Sequence, residues 1–185
     1  MIRYLALGAA GTIAAGFMAA YCAVLLGLIP ANADAKPSSL ERWAAGTSLR
    51  ATIAREAPKK PDPLALTDDN LAAGIKLYAD NCMVCHGAAD GAASNVAAGL
   101  YQHAPQLAKH GVEDDPEGEI FWKIDHGVRL TGMPSFGKSL TEDQIWQLAM
   151  FLKHMDSLPP TEQAAWRKLP SQASSGRATA EAVTR

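Results

Sequence analysis

The longest apolar stretch of the chain is its N-terminal segment. No charged residue occurs between Tyr4 and Ala33, and the most apolar part runs from Tyr4 to Ile29. As a helix rising ~1.5 Å per residue, that part would span about 39 Å, more than the roughly 30 Å of bilayer hydrocarbon. The pattern predicts a transmembrane helix within residues 1–33.

A cleaved secretory signal is the second interpretation of this segment. Ala31-Asn32-Ala33 has the A-x-A form of a cleavage site, but the apolar run exceeds the ~7–15 residues of a signal's apolar region, which favours an uncleaved anchor. Both interpretations send the rest of the chain across the membrane. Arg3 and the amino terminus precede the apolar segment, and Asp34 and Lys36, which carry opposite charges, follow it. The positive-inside rule then predicts a cytoplasmic N-terminus, with the following residues in the periplasm at a bacterial inner membrane.

Residues 34–66 are predicted to hold a short helix and a linker. Residues 38–41 have the S-x-x-E form of a capping box, and the helical pattern continues to Ala57. The helix suits a lipid interface, the surface of a partner subunit or a solvated stalk. The residues that favour the first two are Arg42, Arg50, Arg55, Trp43, Leu49 and Ile53. Three prolines in residues 58–63 predict an extended linker, where we place the domain boundary.

The soluble domain, residues 67–158, begins with an amphipathic helix. Thr67 is a candidate N-cap, and apolar residues at helical spacing extend the helix over roughly 68–81. The helix leads directly to the C-x-x-C-H pattern of covalent haem attachment, formed by Cys82, Cys85 and His86. Two thiols one turn apart can each bond a vinyl group of the porphyrin, and the adjacent imidazole is then available to the iron.

Two other kinds of site use a C-x-x-C pair. A zinc site needs a second pair of ligands, and the four remaining histidines show no H-x3–5-H spacing. A thioredoxin-type redox pair follows a β-strand, whereas a helix is predicted before Cys82. The sequence therefore predicts one covalent haem c, with its iron, as the cofactor.

The haem iron needs a second axial ligand unless it has an open site. Met133 lies 47 residues after His86 in a Gly-Met-Pro loop, which suits a segment folded over the opposite face of the ring. We predict His86 and Met133 as the metal ligands, with His110 and His126 as alternatives. A thioether ligand stabilises Fe(II) and so raises the reduction potential.

Composition and charge indicate the fold class and the kind of partner. The chain is rich in alanine and only 6% aromatic, which favours an all-α fold over a β-sandwich. Residues 64–158 carry 6 basic and 13 acidic side chains, a net charge of −7. This distribution argues against nucleic acid and predicts a redox partner with a basic docking surface. The dense acidic stretch 113–119 is either the docking patch or a solvated loop.

Together these features resemble a class I monohaem cytochrome c over about residues 67–156. Gly74 and Tyr78 precede the first cysteine as in that family's first helix, and Phe151 lies in the counterpart of its last helix, which crosses the first. The resemblance implies an all-α fold around one haem. It also implies that the Pro105 carbonyl accepts a hydrogen bond from the ligand histidine, which orients the imidazole ring.

Two further residues and the C-terminal segment complete the predicted domain. Trp122 and Arg129 are candidate partners of a haem propionate, with a core tryptophan and a solvated arginine as the alternatives. The last helix is predicted to end near Ser157. Residues 159–185 form a C-terminal extension, of which 171–185 is predicted to be disordered.

The function that these predictions favour is one-electron transfer rather than enzyme catalysis. No nucleophile, acid–base pair or substrate pocket is evident, and two axial ligands leave no position for a substrate. The main alternative is a subunit of a larger membrane-bound dehydrogenase or oxidase. A haem enzyme or gas sensor would require Met133 to dissociate from the iron.

Overall fold

The computed structural model describes residues 2–170 and shows helices without strands over that range. The helices are α1 (Ile2–Leu25), α2 (Ser39–Glu56), α3 (Asp68–Asn81), α4 (Met83–His86), α5 (Asn95–Ala98), α6 (Glu117–His126), α7 (Glu142–Lys153) and α8 (Pro160–Arg167). The chain divides into one compact unit that ends at Ala35 and another that begins at Lys36. The predicted all-α fold is confirmed.

The first unit consists of α1 and the turns after it. The 24 residues of α1 have a mean hydropathy of 1.6 over their most apolar window, and none of them is buried. By length and composition α1 is able to cross a membrane, and a signal sequence has the same properties. The helix ends at Leu25, earlier than the apolar pattern predicts, because Gly27 adopts a left-handed conformation with φ of 66°.

The second unit is built around the crossing of α3 and α7. The Asn70 N–H donates to the Thr67 hydroxyl at 3.3 Å, so α3 begins where the sequence predicts. At Gly74 the two helices touch: a Cβ there would overlap the Gln147 carbonyl oxygen and lie 2.8 Å from the Phe151 Cβ. This close approach explains why a glycine stands at this position.

A helix that the sequence did not predict, α8, covers the crossing. Pro160 occupies its first turn, where proline is favoured. The buried Trp166 ring contacts Tyr78 and Phe151 edge-on, at centroid distances of 5.2 and 5.3 Å. The first part of the C-terminal extension is therefore part of the core, whereas the predicted disorder at 171–185 falls outside the described residues.

One face of α2 packs against α6. Ile53 and Ala57 are buried together with Trp122, and Leu49 lies against them. Ile53 is thus a core residue, and the partly buried Leu49 packs against the same cluster, so both side chains are directed toward the protein and not toward lipid or a partner subunit.

The proline-rich linker also lies along α6. The Pro58 carbonyl occupies the space that a Cβ at Gly118 would need, and the Asp62 N–H donates to Glu117 Oε2 at 3.0 Å. The linker therefore lies inside the compact unit that begins at Lys36, and not between two units as the proline pattern predicts.

Candidate haem site

The second unit contains a cavity of about 390 Å³, within the ~300–1,000 Å³ range of cofactor pockets. Its wall is mainly apolar. Five of the seven residues that the sequence singled out lie on this wall: Cys82, Cys85, His86, Pro105 and Met133. Residues far apart in the chain are thus brought together around one space.

The two cysteines enter the wall where α3 ends. Cys82 caps α3, with its N–H donating to the Tyr78 carbonyl at 2.8 Å. The Cys85 and His86 N–H groups both donate to the Cys82 carbonyl, at 3.0 and 2.9 Å, which closes the short turn of α4. Burial raises the pKa of the Cys82 thiol to about 12, and the neighbouring Cys85 adds to the rise.

The His86 ring is held in one orientation. Its Nδ1 donates to the Pro105 carbonyl at 2.9 Å, the hydrogen bond that the resemblance implies. Since a carbonyl only accepts, Nδ1 carries the proton and Nε2 keeps its lone pair. Burial lowers the pKa of His86, opposed by the bond to Pro105, so the neutral ring is favoured. A neutral, oriented imidazole is the form that binds a metal.

The segment around Pro105 is hydrogen-bonded to residues 82–86, which we call the attachment turn. The Gln106 side chain donates through Nε2 to the Cys85 carbonyl at 3.2 Å. The Leu107 N–H donates to the His86 carbonyl at 3.3 Å. The support of the imidazole and the two thiols therefore belong to one hydrogen-bonded structure.

The loop that carries Met133 is fastened to the end of α6. The Phe136 N–H donates to the Ile124 carbonyl at 3.1 Å, which satisfies a carbonyl of the last turn of the helix. Within the loop, the Met133 N–H donates to Thr131 Oγ1 at 3.1 Å, and its carbonyl accepts from the Val128 N–H at 3.1 Å. These bonds position a partly buried thioether on the cavity wall.

Of the methionines in residues 2–170, the cavity wall includes Met133 alone. Met83, Met150 and Met155 are buried in the core. The alternative ligands His110 and His126 are not on the wall.

His126 stacks instead on the Trp122 ring, at a centroid distance of 4.7 Å, and its Nδ1 lies 3.2 Å from Asp125 Oδ2. The exposed His103 does line the cavity, two residues before Pro105, and sequence reasoning missed it. A single histidine without a motif gave no signal.

The other two predicted site residues are not on the cavity wall. Trp122 is buried under α2, and its indole N–H has no hydrogen-bond partner among the described residues. Arg129 is exposed and does not line the cavity. The expected propionate contacts therefore gain no support: α2 occupies the face of α6 on which Trp122 lies, and Arg129 is off the cavity wall.

Lys123, for which the sequence pattern gave no signal, lines the cavity, with Nζ 2.6 Å from Asp115 Oδ2.

The cavity fits a covalently bound haem. It offers two thiols one turn apart, an imidazole with an available Nε2 and a thioether, within apolar walls. Within the described residues, no group of three or more His, Cys, Asp or Glu side chains is arranged to hold a metal ion.

Comparison with known proteins agrees with this chemistry. Residues 69–152 match the family model of cytochrome c oxidase, cbb3-type, subunit III. The matched range runs from the first turn of α3 into α7 and includes both cysteines, His86, Pro105 and Met133. No match was found among curated proteins or among solved structures. Residues 69–152 are therefore a c-type cytochrome domain, whose cofactor is covalently bound haem c and whose general function is electron transfer.

Proposed function

We propose that the protein carries single electrons at the periplasmic face of a bacterial inner membrane, with His86 and Met133 as the axial ligands of its haem iron. The observation that carries this proposal is the shared cavity, which brings the attachment turn and the Met133 loop to one space. The bound haem supplies one iron that alternates between Fe(III) and Fe(II).

The residues of the chain would attach the haem, bind its iron and orient the histidine ligand. The Cys82 and Cys85 thiols would hold the haem covalently through its two vinyl groups. His86 would bind the iron through Nε2, and the Pro105 carbonyl keeps the imidazole ring in place. The Met133 sulfur would be the second ligand of the iron, where a thioether would stabilise Fe(II) and exclude substrates.

Covalent attachment is tested by the double variant Cys82→Ser with Cys85→Ser. We expect it to lose haem staining on a denaturing gel, because no thioether bond remains. Cys22, exposed in α1, provides the matched control, and Cys22→Ser should stain like the wild type. Staining that survives in the double variant would overturn the attachment assignment.

The sixth ligand is tested by Met133→Ala. The variant should lose the weak near-infrared band of Fe(III)–thioether ligation, lower its reduction potential and bind carbon monoxide when reduced. His103→Ala is the matched control, since His103 lines the same cavity, and it should keep the band. If the reduced wild type already binds carbon monoxide readily, a haem enzyme or gas sensor replaces the electron carrier.

The membrane location depends on whether α1 stays in the mature protein. Its length and apolar composition support a single-pass anchor. Intact mass of the membrane-extracted protein should include α1. A mature chain that starts at Asp34 would make this a soluble or peripheral cytochrome.

The second candidate function is an electron-transferring subunit of a larger membrane complex. It is favoured by the description of the matched family, which names a subunit of an oxidase. Small residues every four positions along α1, at Gly8, Thr12, Gly16 and Ala20, would let another helix approach closely. Solubilisation in mild detergent tests this candidate: a subunit should migrate in one complex with other redox proteins, and a free carrier should migrate alone.

A further inference from the structure

We propose that α2 lies on the membrane surface and that its outward face contacts anionic phospholipid headgroups. The outward face consists of Leu40, Trp43, Thr47, Ala51 and Ala54. This inference rests on the proposed membrane anchor and adds to it a second contact, which holds the cytochrome domain in one orientation beside the bilayer.

The two faces of α2 differ in their partners. At ~100° per residue, Leu49 and Ile53 project on the side opposite to the outward face, and they are packed against Trp122. On the outward face, Leu40 and Trp43 are 71% and 65% exposed. A large apolar side chain and an indole are thus left facing away from the protein, and tryptophan is enriched at membrane interfaces.

Basic side chains flank the outward face of α2. The outward face contains no charged residue, and Arg50 and Arg55 project on either side of it. Residues 36–60 carry 6 basic and 2 acidic side chains. Both acidic groups have partners inside the protein: Glu41 accepts from the Tyr101 hydroxyl at 2.6 Å, and Glu56 pairs with Arg55 at 2.6 Å.

The net charge of this segment is therefore +4, against −7 for residues 64–158. An anionic surface attracts the first segment and repels the second, so it selects α2 as the side that approaches the membrane. A neutral apolar strip between basic side chains is the pattern of helices that lie in the headgroup region.

The segment of chain between α1 and α2 is short. Residues 26–38 separate α1 from α2, and so short a segment spans at most about 50 Å when fully extended. Once α1 is in the bilayer, α2 stays within this distance of the membrane surface. The encounter of α2 with lipid is then effectively intramolecular, and even weak contacts hold it there.

The proposed contact with lipid also orients the cavity. Tyr101, which hydrogen-bonds the first turn of α2, lies between Leu100 and Gln102, and both line the cavity. Docking of α2 would therefore keep this part of the cavity wall beside the membrane, within reach of a redox partner that is itself embedded there.

The experiment uses a nitroxide label on the outward face of the full-length, haem-loaded protein. Ala51→Cys is labelled in a Cys22→Ser background, since the other two cysteines are occupied by haem. The protein is reconstituted into phosphatidylcholine vesicles with and without phosphatidylglycerol. Collisions of the label with a water-soluble nickel chelate and with membrane-dissolved oxygen report its location. Val96→Cys, at an exposed valine of the cytochrome domain, is the matched control.

With phosphatidylglycerol, the label at residue 51 should lose nickel collisions several-fold and gain oxygen collisions, and the label at residue 96 should not change. Adding Leu40→Glu and Trp43→Glu should restore the nickel collisions while the vesicles still retain the protein. These two side chains are exposed, so the double variant should keep its fold, which the absorption spectrum checks.

Three results would overturn the inference. A label at residue 51 that stays accessible to nickel on vesicle-bound protein would leave the anchor intact but show that α2 is solvated. A label shielded from nickel and oxygen alike would show that a protein, a partner or a second copy, covers the face. Protein that remains in solution would overturn the anchor together with this inference.

Discussion

Gly74 shows how much one residue contributes to this fold. The absence of its side chain allows α3 and α7 to cross at contact distance, and Tyr78, one turn further along α3, then reaches the cavity wall. Asp62 has the opposite effect, because its charge opposes folding. One of its carboxylate oxygens is buried without a hydrogen-bond partner among the described residues.

Gly74→Ala should destabilise the haem-loaded protein by about 1–3 kcal/mol, because the new methyl group must push α7 away. Gly46→Ala is the matched control in α2, where the nearest atom is the flexible end of Arg50 at 3.3 Å. It should gain ~0.5–1 kcal/mol from helix propensity. Guanidinium unfolding measures both, and equal effects of the two variants would contradict the crossing geometry.

Asp62→Asn should stabilise the protein at neutral pH. Burial raises the pKa of Asp62, the hydrogen bond from the Leu64 N–H opposes the rise, and the charges of Glu117 and Asp143 add to it. Because the folded pKa is the higher one, ionisation favours the unfolded state. The gain, about a few tenths of a kcal/mol for a group that is only partly buried, should be present at pH 7 and vanish below the ordinary carboxyl pKa. Unfolding curves across this pH range check it, and a loss of stability at pH 7 would contradict the argument.

At the scale of elements, α2 and α8 are two helices that pack against the α3–α6–α7 core from outside. α8 covers the helix crossing with Trp166. α2 is attached at its C-terminal half through Ile53 and at its first turn through Glu41. The segment predicted as a membrane-proximal helix is therefore also a structural part of the cytochrome unit.

Ile53→Ala should measure this attachment. Removing a side chain that is 4% exposed leaves a cavity beside Trp122, and we expect a loss of about 2–4 kcal/mol. Leu40→Ala, on the same helix but 71% exposed, should change the stability by less than ~0.5 kcal/mol. Thermal or guanidinium unfolding distinguishes the two. A small loss for Ile53→Ala would show that α2 is not held by this contact.

For the whole molecule, the charge distribution bears on the partner. The stretches 82–89, 91–112 and 127–140 supply most of the cavity wall and contain no acidic residue. The net charge of −7 is thus carried by other surfaces. Of the acidic stretch 113–119, Asp115 pairs with Lys123, and Glu117 accepts from the Asp62 N–H, so these two side chains are committed within the protein.

Electron transfer to a basic partner should slow as salt rises, because long-range attraction is screened over about 8 Å at physiological ionic strength. Glu113→Gln with Asp114→Asn should weaken that dependence if the stretch is the docking patch. Asp68→Asn with Asp69→Asn removes the same charge at exposed positions of α3 and should leave the dependence nearly unchanged. Stopped-flow rates with the native partner measure it. A salt-independent wild-type rate would instead indicate a subunit already bound to its partner.

Sequence alone determined the features that depend only on residues close together in the chain. The C-x-x-C-H pattern is contiguous, so it predicted the haem c cofactor without any fold, and the caps at Ser38 and Thr67 predicted where α2 and α3 begin. Apolar spacing and alanine content predicted an all-α chain with an N-terminal apolar helix. Each of these signals acts within a few residues, where propensity and local hydrogen bonds dominate.

Tertiary structure decided which distant residues meet. It placed His103 and Lys123 on the cavity wall and left Arg129 outside it, and it buried Trp122 under α2. It also placed Trp166 in the core and left the outward face of α2 without a partner in the described chain. These outcomes depend on contacts across tens of residues, which no local pattern encodes, because the face that a helix buries is chosen by the surface it packs against.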